Sequence, residues 1–205
     1  MKWRNPIVFP LFVIMISCVA PVYHKAEVVA SKSLTVSAGP VGYGYIFHFF
    51  ETIREVAAGG YIDISGQIAK TDRFAWTGHL GGVVTQGGMG AVDWRRDMEI
   101  EIFPLAGIGF QYELLEEPSF SARVELDIPM TPVMTLLVGI DSKTKDREVL
   151  TTGFQLVAGA PSSVFLTWHP TQRLHFTLGA NPMFLTFGKD VWGLHAGIGY
   201  TIIEK

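Results

Sequence analysis

"FSARVELDI", residues 120–128, alternates without a break: Phe120, Ala122, Val124, Leu126 and Ile128 are apolar, and Ser121, Arg123, Glu125 and Asp127 are polar. Side chains of an extended strand point to opposite faces in turn, so this stretch is a strand with one apolar and one charged face. A soluble barrel puts the apolar face inside. A membrane barrel inverts the order, with the apolar face toward lipid and the polar face toward the lumen. Alternation alone does not choose between them. The choice turns on which face of residues 120–128 meets the interior.

The same period runs outward in both directions. Upstream it recurs in residues 33–47, 60–69, 73–85 and 98–114, and downstream in 132–140, 149–159, 162–169, 173–182 and 192–203. Turn signals separate the segments. The connectors "KTD", "LEEP" and "PTQ" are short, whereas "GGMGAVDWRR", "DSKTKDRE" and "LTFGKD" are longer. Pro40 and its glycine neighbours predict a bulge or bend in the first strand. One helical candidate, "FFETIREVAAGG" (49–60), carries Phe49, Ile53 and Val56 at helical spacing and ends in two glycines. It reads as a short helix on a loop. Many antiparallel strands must hide their edges, and closure does so. The expectation is an all-β, antiparallel up-and-down barrel of about 8–10 strands that spans a membrane.

Composition fits that reading. Of the 205 residues 48% are hydrophobic and 17% charged, and the mean hydropathy of +0.29 is high for a water-soluble domain. No stretch after the N-terminus is a continuous apolar run of spanning length. Residues 1–17 read as an export signal, with Lys2 and Arg4 ahead of the apolar core "PIVFPLFVIMI". The net charge of −3 becomes more acidic once that signal is removed, so nucleic acid is not an expected partner. Cys18 is the single cysteine, which excludes an intrachain disulfide. "MISC" resembles the lipobox of bacterial lipoproteins, and under that reading Cys18 is acylated. The competing cut falls after Ala30. Residues 18–32 form a tether and 33–205 the barrel domain.

Aromatic residues collect on the apolar face near one rim: Trp76, Tyr112, Phe120, Trp168 and Tyr200 occupy ends of strands that share it. Aromatics at one level of an apolar face form a girdle at a lipid–water interface. The closing stretch "HAGIGYTI" (195–202) resembles the C-terminal assembly signal of bacterial outer-membrane barrels, with His195, Gly197, Tyr200 and Ile202 in its slots. In overall pattern the chain resembles small OmpA/OmpX/OmpW-type barrels. That resemblance implies a bacterial outer-membrane location, with membrane lipid and the barrel-assembly machinery as partners. The implied role is structural, surface-interacting or a narrow passage for small apolar molecules. One alternative is a periplasmic or surface lipoprotein, a lipid-anchored barrel that binds a small hydrophobic ligand as lipocalins do. A second is an outer-membrane lipid-modifying enzyme.

Equipment for catalysis is sparse. The sequence holds no GxSxG elbow and no HExxH pair. The His-x-Ser pairing of lipid A deacylases is also missing, since Phe176 and Thr177 follow His175. No enzymatic activity, cofactor or metal is expected. Four histidines, His79, His169, His175 and His195, share the polar face, with His169 and His175 flanking one turn. They read as polar filling of the lumen. Glu113, Arg123, Glu125 and Asp127 fall together on neighbouring strands, and with Arg173 they predict a cross-linked polar network inside the barrel.

Overall fold

In the computed structural model, the described residues are 25–28, 31–47, 53–89, 99–116, 118–128, 130–142, 147–185 and 189–204. The export signal, Cys18 and the tips of the longer loops lie outside them. Ten strands close into one antiparallel barrel: β1 (Lys32–Phe47), β2 (Ile53–Thr71), β3 (Phe74–Met89), β4 (Glu99–Leu115), β5 (Phe120–Asp127), β6 (Thr131–Ser142), β7 (Arg147–Val157), β8 (Ala160–Trp168), β9 (Leu174–Leu185) and β10 (Lys189–Glu204). Each strand pairs with its chain neighbours, and β1 pairs with β10 to seal the sheet. Closure leaves no free edge at the seam.

The faces are inverted relative to a soluble protein. Leu126 and Ile128 point outward and are exposed, whereas Ser121, Arg123, Glu125 and Asp127 are buried in the interior. The rest of the wall follows: Ile62, Ile64, Leu80, Ile108, Leu166, Leu178 and Ile198 are exposed, and Thr35, Asp63, Gln111, Thr135, Gln155 and Thr177 are buried. Such a wall needs an apolar surrounding, and its polar lumen is the opposite of a lipocalin-like pocket. The lipid-anchored ligand-binding alternative loses its binding surface.

Two local expectations are corrected. No helix covers residues 53–60. That stretch opens β2 and pairs with β1 from Phe47–Ile53 to Pro40–Gly60. Its apolar spacing suits either element, and a full ladder of backbone partners decides for the strand. No register shift occurs at Pro40: β1 stays in step with β10, and only the pairs at Gly39 and Pro40 are missing. A Cβ on Gly39 would lie 1.9 Å from the Ala196 carbonyl oxygen, so glycine lets the seam close there. Bulges sit elsewhere, as at Ala69/Thr71, Glu113/Leu115, Ile140/Asp141 and Gln155/Leu156.

The connections divide by end. β2 ends and β3 begins, β4 ends and β5 begins, β6 ends and β7 begins, and β8 ends and β9 begins at the end where β1 starts and β10 finishes, here the near end. At the far end two turns are tight. Val157 pairs with Ala160 across Ala158 and Gly159, whose φ angles are 48° and 86°. Positive φ at both central residues is the type I′ hairpin geometry. Asp127 pairs with Thr131 at the second, where Met130 N–H donates to the Asp127 carbonyl (2.5 Å) and Met130 takes φ 73°.

Strand length is uneven. β1 to β4 and β10 have 16 to 19 residues, whereas β5 to β8 have 8 to 12. About 9–11 residues suffice to cross a bilayer. Among the described pairings, β4 meets β5 only from Gly107 onward, and β9 meets β8 only up to Ala180. The wall is therefore high on one side of the far end and low over β5–β8.

Candidate functional site in the barrel lumen

Residues 25–28 enter the lumen from the near end and are the first part of the site. They were expected in a tether standing off the barrel. Instead Ala26 is fully buried and packs with Leu137 and Phe165, and Val28 is buried beside it. Carboxylates take up their free backbone donors. Ala26 N–H and Glu27 N–H donate to the two oxygens of Glu148 (3.1 and 2.9 Å), and Val28 N–H donates to Glu113 Oε2 (3.0 Å). Gln111 Nε2 donates to the carbonyls of Lys25 (2.9 Å) and Ala26 (3.1 Å). An irregular segment inside a barrel needs partners of this kind, because unpaired buried backbone groups are costly.

Glu148 is the residue that the periodicity misses. Thr151, Gly153, Gln155 and Val157 point inward at period two, which would turn position 148 outward. The register shift between Ile140 and Asp141 opposite Leu150 and Glu148 inserts Val149 as an extra residue, so Glu148 and Thr151 both face the lumen. Glu148 also accepts from Ser119 Oγ (3.0 Å) and from the Thr151 hydroxyl.

A chain of hydrogen bonds continues from Thr151 around the near end. His169 Nε2 lies 2.7 Å from Thr151 Oγ1, His169 Nδ1 lies 2.7 Å from His175 Nδ1, and His175 Nε2 lies 2.5 Å from Thr201 Oγ1, which meets Thr35 Oγ1 at 2.7 Å. The acceptor-only Glu148 fixes the direction. The Thr151 hydroxyl gives its hydrogen to Glu148, so His169 Nε2–H donates to Thr151. With both rings neutral, His175 Nδ1–H donates to His169 Nδ1, Thr201 to His175 Nε2, and Thr35 to Thr201. A single proton fits between the two Nδ1 atoms at this distance. The chain links β7, the β8–β9 turn, β9, β10 and β1 across the seam.

A second network lies deeper, on β2 to β5. His79 Nδ1 is 3.1 Å from Asp63 Oδ1, and its Nε2 is 3.4 Å from Asp127 Oδ1. Glu125 Oε1 accepts from Thr77 Oγ1 (2.8 Å) and pairs with Arg123. Glu113, Arg123, Glu125 and Asp127 are thus all interior, as the sequence predicts. Glu113 accepts from Val28 N–H, and Arg123 pairs with Glu125. Arg123 Nε and Nη1 have no hydrogen-bond partner among the described residues. Arg173 is a correction: it is exposed on the β8–β9 turn, where Nη1 donates to Tyr200 Oη (3.4 Å). It follows a turn that ends before the wall begins, so its long side chain runs outside the mouth.

On the outer face Trp76, Tyr112, Trp168 and Tyr200 are exposed and Phe120 is half-buried, all toward the near end. Phe74 packs edge-on against Trp76 at 5.5 Å and stacks on Phe110 at 5.9 Å, and Trp168 stacks on Phe176 at 5.7 Å. On β10, Tyr200 and Ile202 point outward, His195 inward, and Gly197 lies beside Gly39 at the seam.

No protein-family model matches this chain, and no curated protein matches it. Solved structures do. An outer membrane channel from Pseudomonas putida F1 superposes with a TM-score of 0.57 at 8% identity, covering 90% of this chain and 100% of that one. Ail, the attachment invasion locus protein of Yersinia pestis, gives a TM-score of 0.40 at 8% identity over 84% of this chain and 99% of its own. Its complex with the heparin analogue sucrose octasulfate gives 0.37 at 9%, with the same coverage. The likeness to the channel shows the fold: a closed barrel of the outer-membrane kind.

Proposed function

We propose that this chain is a bacterial outer-membrane barrel closed to ions at rest, with a structural or surface-interaction role and no enzymatic activity. One observation carries the reading: the near end of the lumen is filled by residues 25–28 and by the hydrogen-bonded side chains that hold them. A barrel of about ten strands encloses little more than its own side chains, so a peptide segment in the mouth leaves no room for an aqueous path. The aromatic residues toward the near end suit the girdle at the periplasmic interface. The partners under this reading are membrane lipid and the assembly machinery that reads β10 through His195, Gly197, Tyr200 and Ile202. The test is a planar-bilayer recording of the purified full-length protein. Silence or brief small currents are expected; steady porin-sized conductance would overturn the reading.

A narrow passage for small apolar molecules is a second reading, favoured by the uneven wall. Beside the low wall the otherwise polar interior carries an apolar patch of Leu105, Val133 and Val157, and Ile128 and Met130 at the turn are exposed. A small apolar molecule entering from the far side would meet these side chains above the sealed end. Saturable uptake of a fluorescent apolar probe into vesicles, lost on V133D, would support passage. An unchanged rate in that variant would count against it.

A further inference from the structure

We propose that His79, Glu125 and Asp127 form a binding site for one divalent transition-metal ion, of which zinc is the probe. Each offers one ligand atom, and the three atoms lie within 4.8 Å of one another. The site is built from three strands: His79 projects from β3, and Glu125 and Asp127 project from the same face of β5, across Gly107 and Gly109 of β4.

Four features of the site suit a cation. The separation of 3.4 Å between His79 Nε2 and Asp127 Oδ1 is long for a hydrogen bond. It matches the edge of a tetrahedron whose bonds are about 2.1 Å, the length of zinc bonds to imidazole nitrogen and carboxylate oxygen. His79 is also oriented from behind. Asp63 Oδ1, 3.1 Å from Nδ1, accepts the Nδ1–H and holds Nε2 toward Asp127, where an ion would take the place of the Nε2 proton. That is the carboxylate–histidine arrangement that fixes the tautomer of metal-bound histidines.

The wall beneath the ligands is kept clear. A Cβ on Gly107 would stand 2.1 Å from Asp127 Oδ1 and 2.6 Å from His79 Nε2, so any side chain there would occupy the space between the two ligand atoms. Charge completes the argument. Asp63, Glu125 and Asp127 are all buried, and Arg123 pairs with Glu125. Three carboxylates meet one guanidinium, an excess of negative charge that one divalent ion reduces. Uncompensated buried charge is costly, so the ion gains affinity from relieving it. Glu125 Oε1 accepts from Thr77 and Arg123, which holds the carboxylate in place beside His79 and Asp127. Three protein ligands leave a fourth position open to the lumen.

The experiment uses full-length protein in detergent micelles, stripped with a chelator and titrated with zinc in competition with a chromophoric chelator. Wild type is expected to bind one ion per chain, with an X-ray absorption first shell of nitrogen and oxygen near 2.1 Å. D127N and H79A each lower affinity at least 100-fold. D63N, which touches only the back of the imidazole, lowers it about 10- to 100-fold. The pair H169A and H175A leaves it unchanged. Heat-modified gel mobility establishes that each variant is folded, and D63N carries the test if H79A does not fold. No saturable binding, wild-type affinity in both D127N and D63N, or loss of binding in H169A/H175A would overturn the proposal.

Discussion

Val124 and Glu125 are adjacent in sequence and face opposite media. Val124 lies on the outer face between Phe110 of β4 and Met134 of β6, and Glu125 is buried in the lumen. Lysine at 124 should destabilise the barrel by about 2–4 kcal/mol, the cost of such a charge near the bilayer midplane. Urea titration in lipid vesicles measures it. Cysteine placed at 124 should quench against a lipid-borne quencher, and cysteine at 125 should not; the reverse pattern would mean that the faces are exchanged. Ala158 offers a test of opposite sign. It holds φ 48° in a two-residue type I′ turn before Gly159, and the geometry favours asparagine there. A158N should stabilise the barrel by about 1 kcal/mol, because the left-handed conformation costs alanine more than asparagine. Equal unfolding midpoints for A158N and wild type would show that the turn stores no such strain.

Among the elements, the segment 25–28 is held in the lumen largely by polar side chains of the wall, with Ala26 packed on Leu137 and Phe165. Its backbone donors depend on Glu113 and Glu148, and each charge-assisted bond contributes about 1.5–3 kcal/mol. E113A/E148A should therefore free the segment and convert a silent barrel into one with discrete conductance steps. A folded double variant that stays silent in the bilayer would show that the seal does not depend on these bonds. The same contacts bear on processing. A cut after Ala30 would remove residues 25–28 and strand Glu148 beside Ser119 and Thr151 with two of its donors gone. The mature chain is expected to begin upstream of Lys25, at acylated Cys18 or another site, and mass spectrometry of the intact protein reads this directly. A chain that begins at Ser31 would exclude both lipidation and the seal. Residues 53–60 carry a different lesson at this scale. Phe49, Ile53 and Val56 satisfy a helical period, yet Ile53–Gly60 is strand, because β1 offers a hydrogen-bonding edge along its whole length.

For the whole molecule, the decisive property is the inversion of polarity. A wall whose exposed side chains include Ile100, Ile102, Ile108, Leu178 and Ile202 needs lipid or detergent around it. Stripped of detergent, the folded protein should aggregate, and it should regain heat-modified mobility when returned to micelles. A chain that remained monomeric in plain buffer would sink the membrane reading. Much of this was legible from the sequence. Period-two alternation marks a strand wherever one face is apolar and the other polar, and it placed all ten strands to within a few residues apart from the start of β2. It also put Arg123, Glu125 and Asp127 on one face. Alternation carries no sign, however, so only closure of the sheet decided which face is the lumen. The register decided the rest. The bulge at Val149 turns Glu148 inward against the period, and pairing across five strands joins His169, His175, Thr201 and Thr35 into one chain. Side-chain periodicity is a local property of the backbone, whereas register, closure and the docking of residues 25–28 depend on contacts between residues far apart in the chain, such as Lys32 and Glu204 at the seam, and these exist only once the barrel has formed.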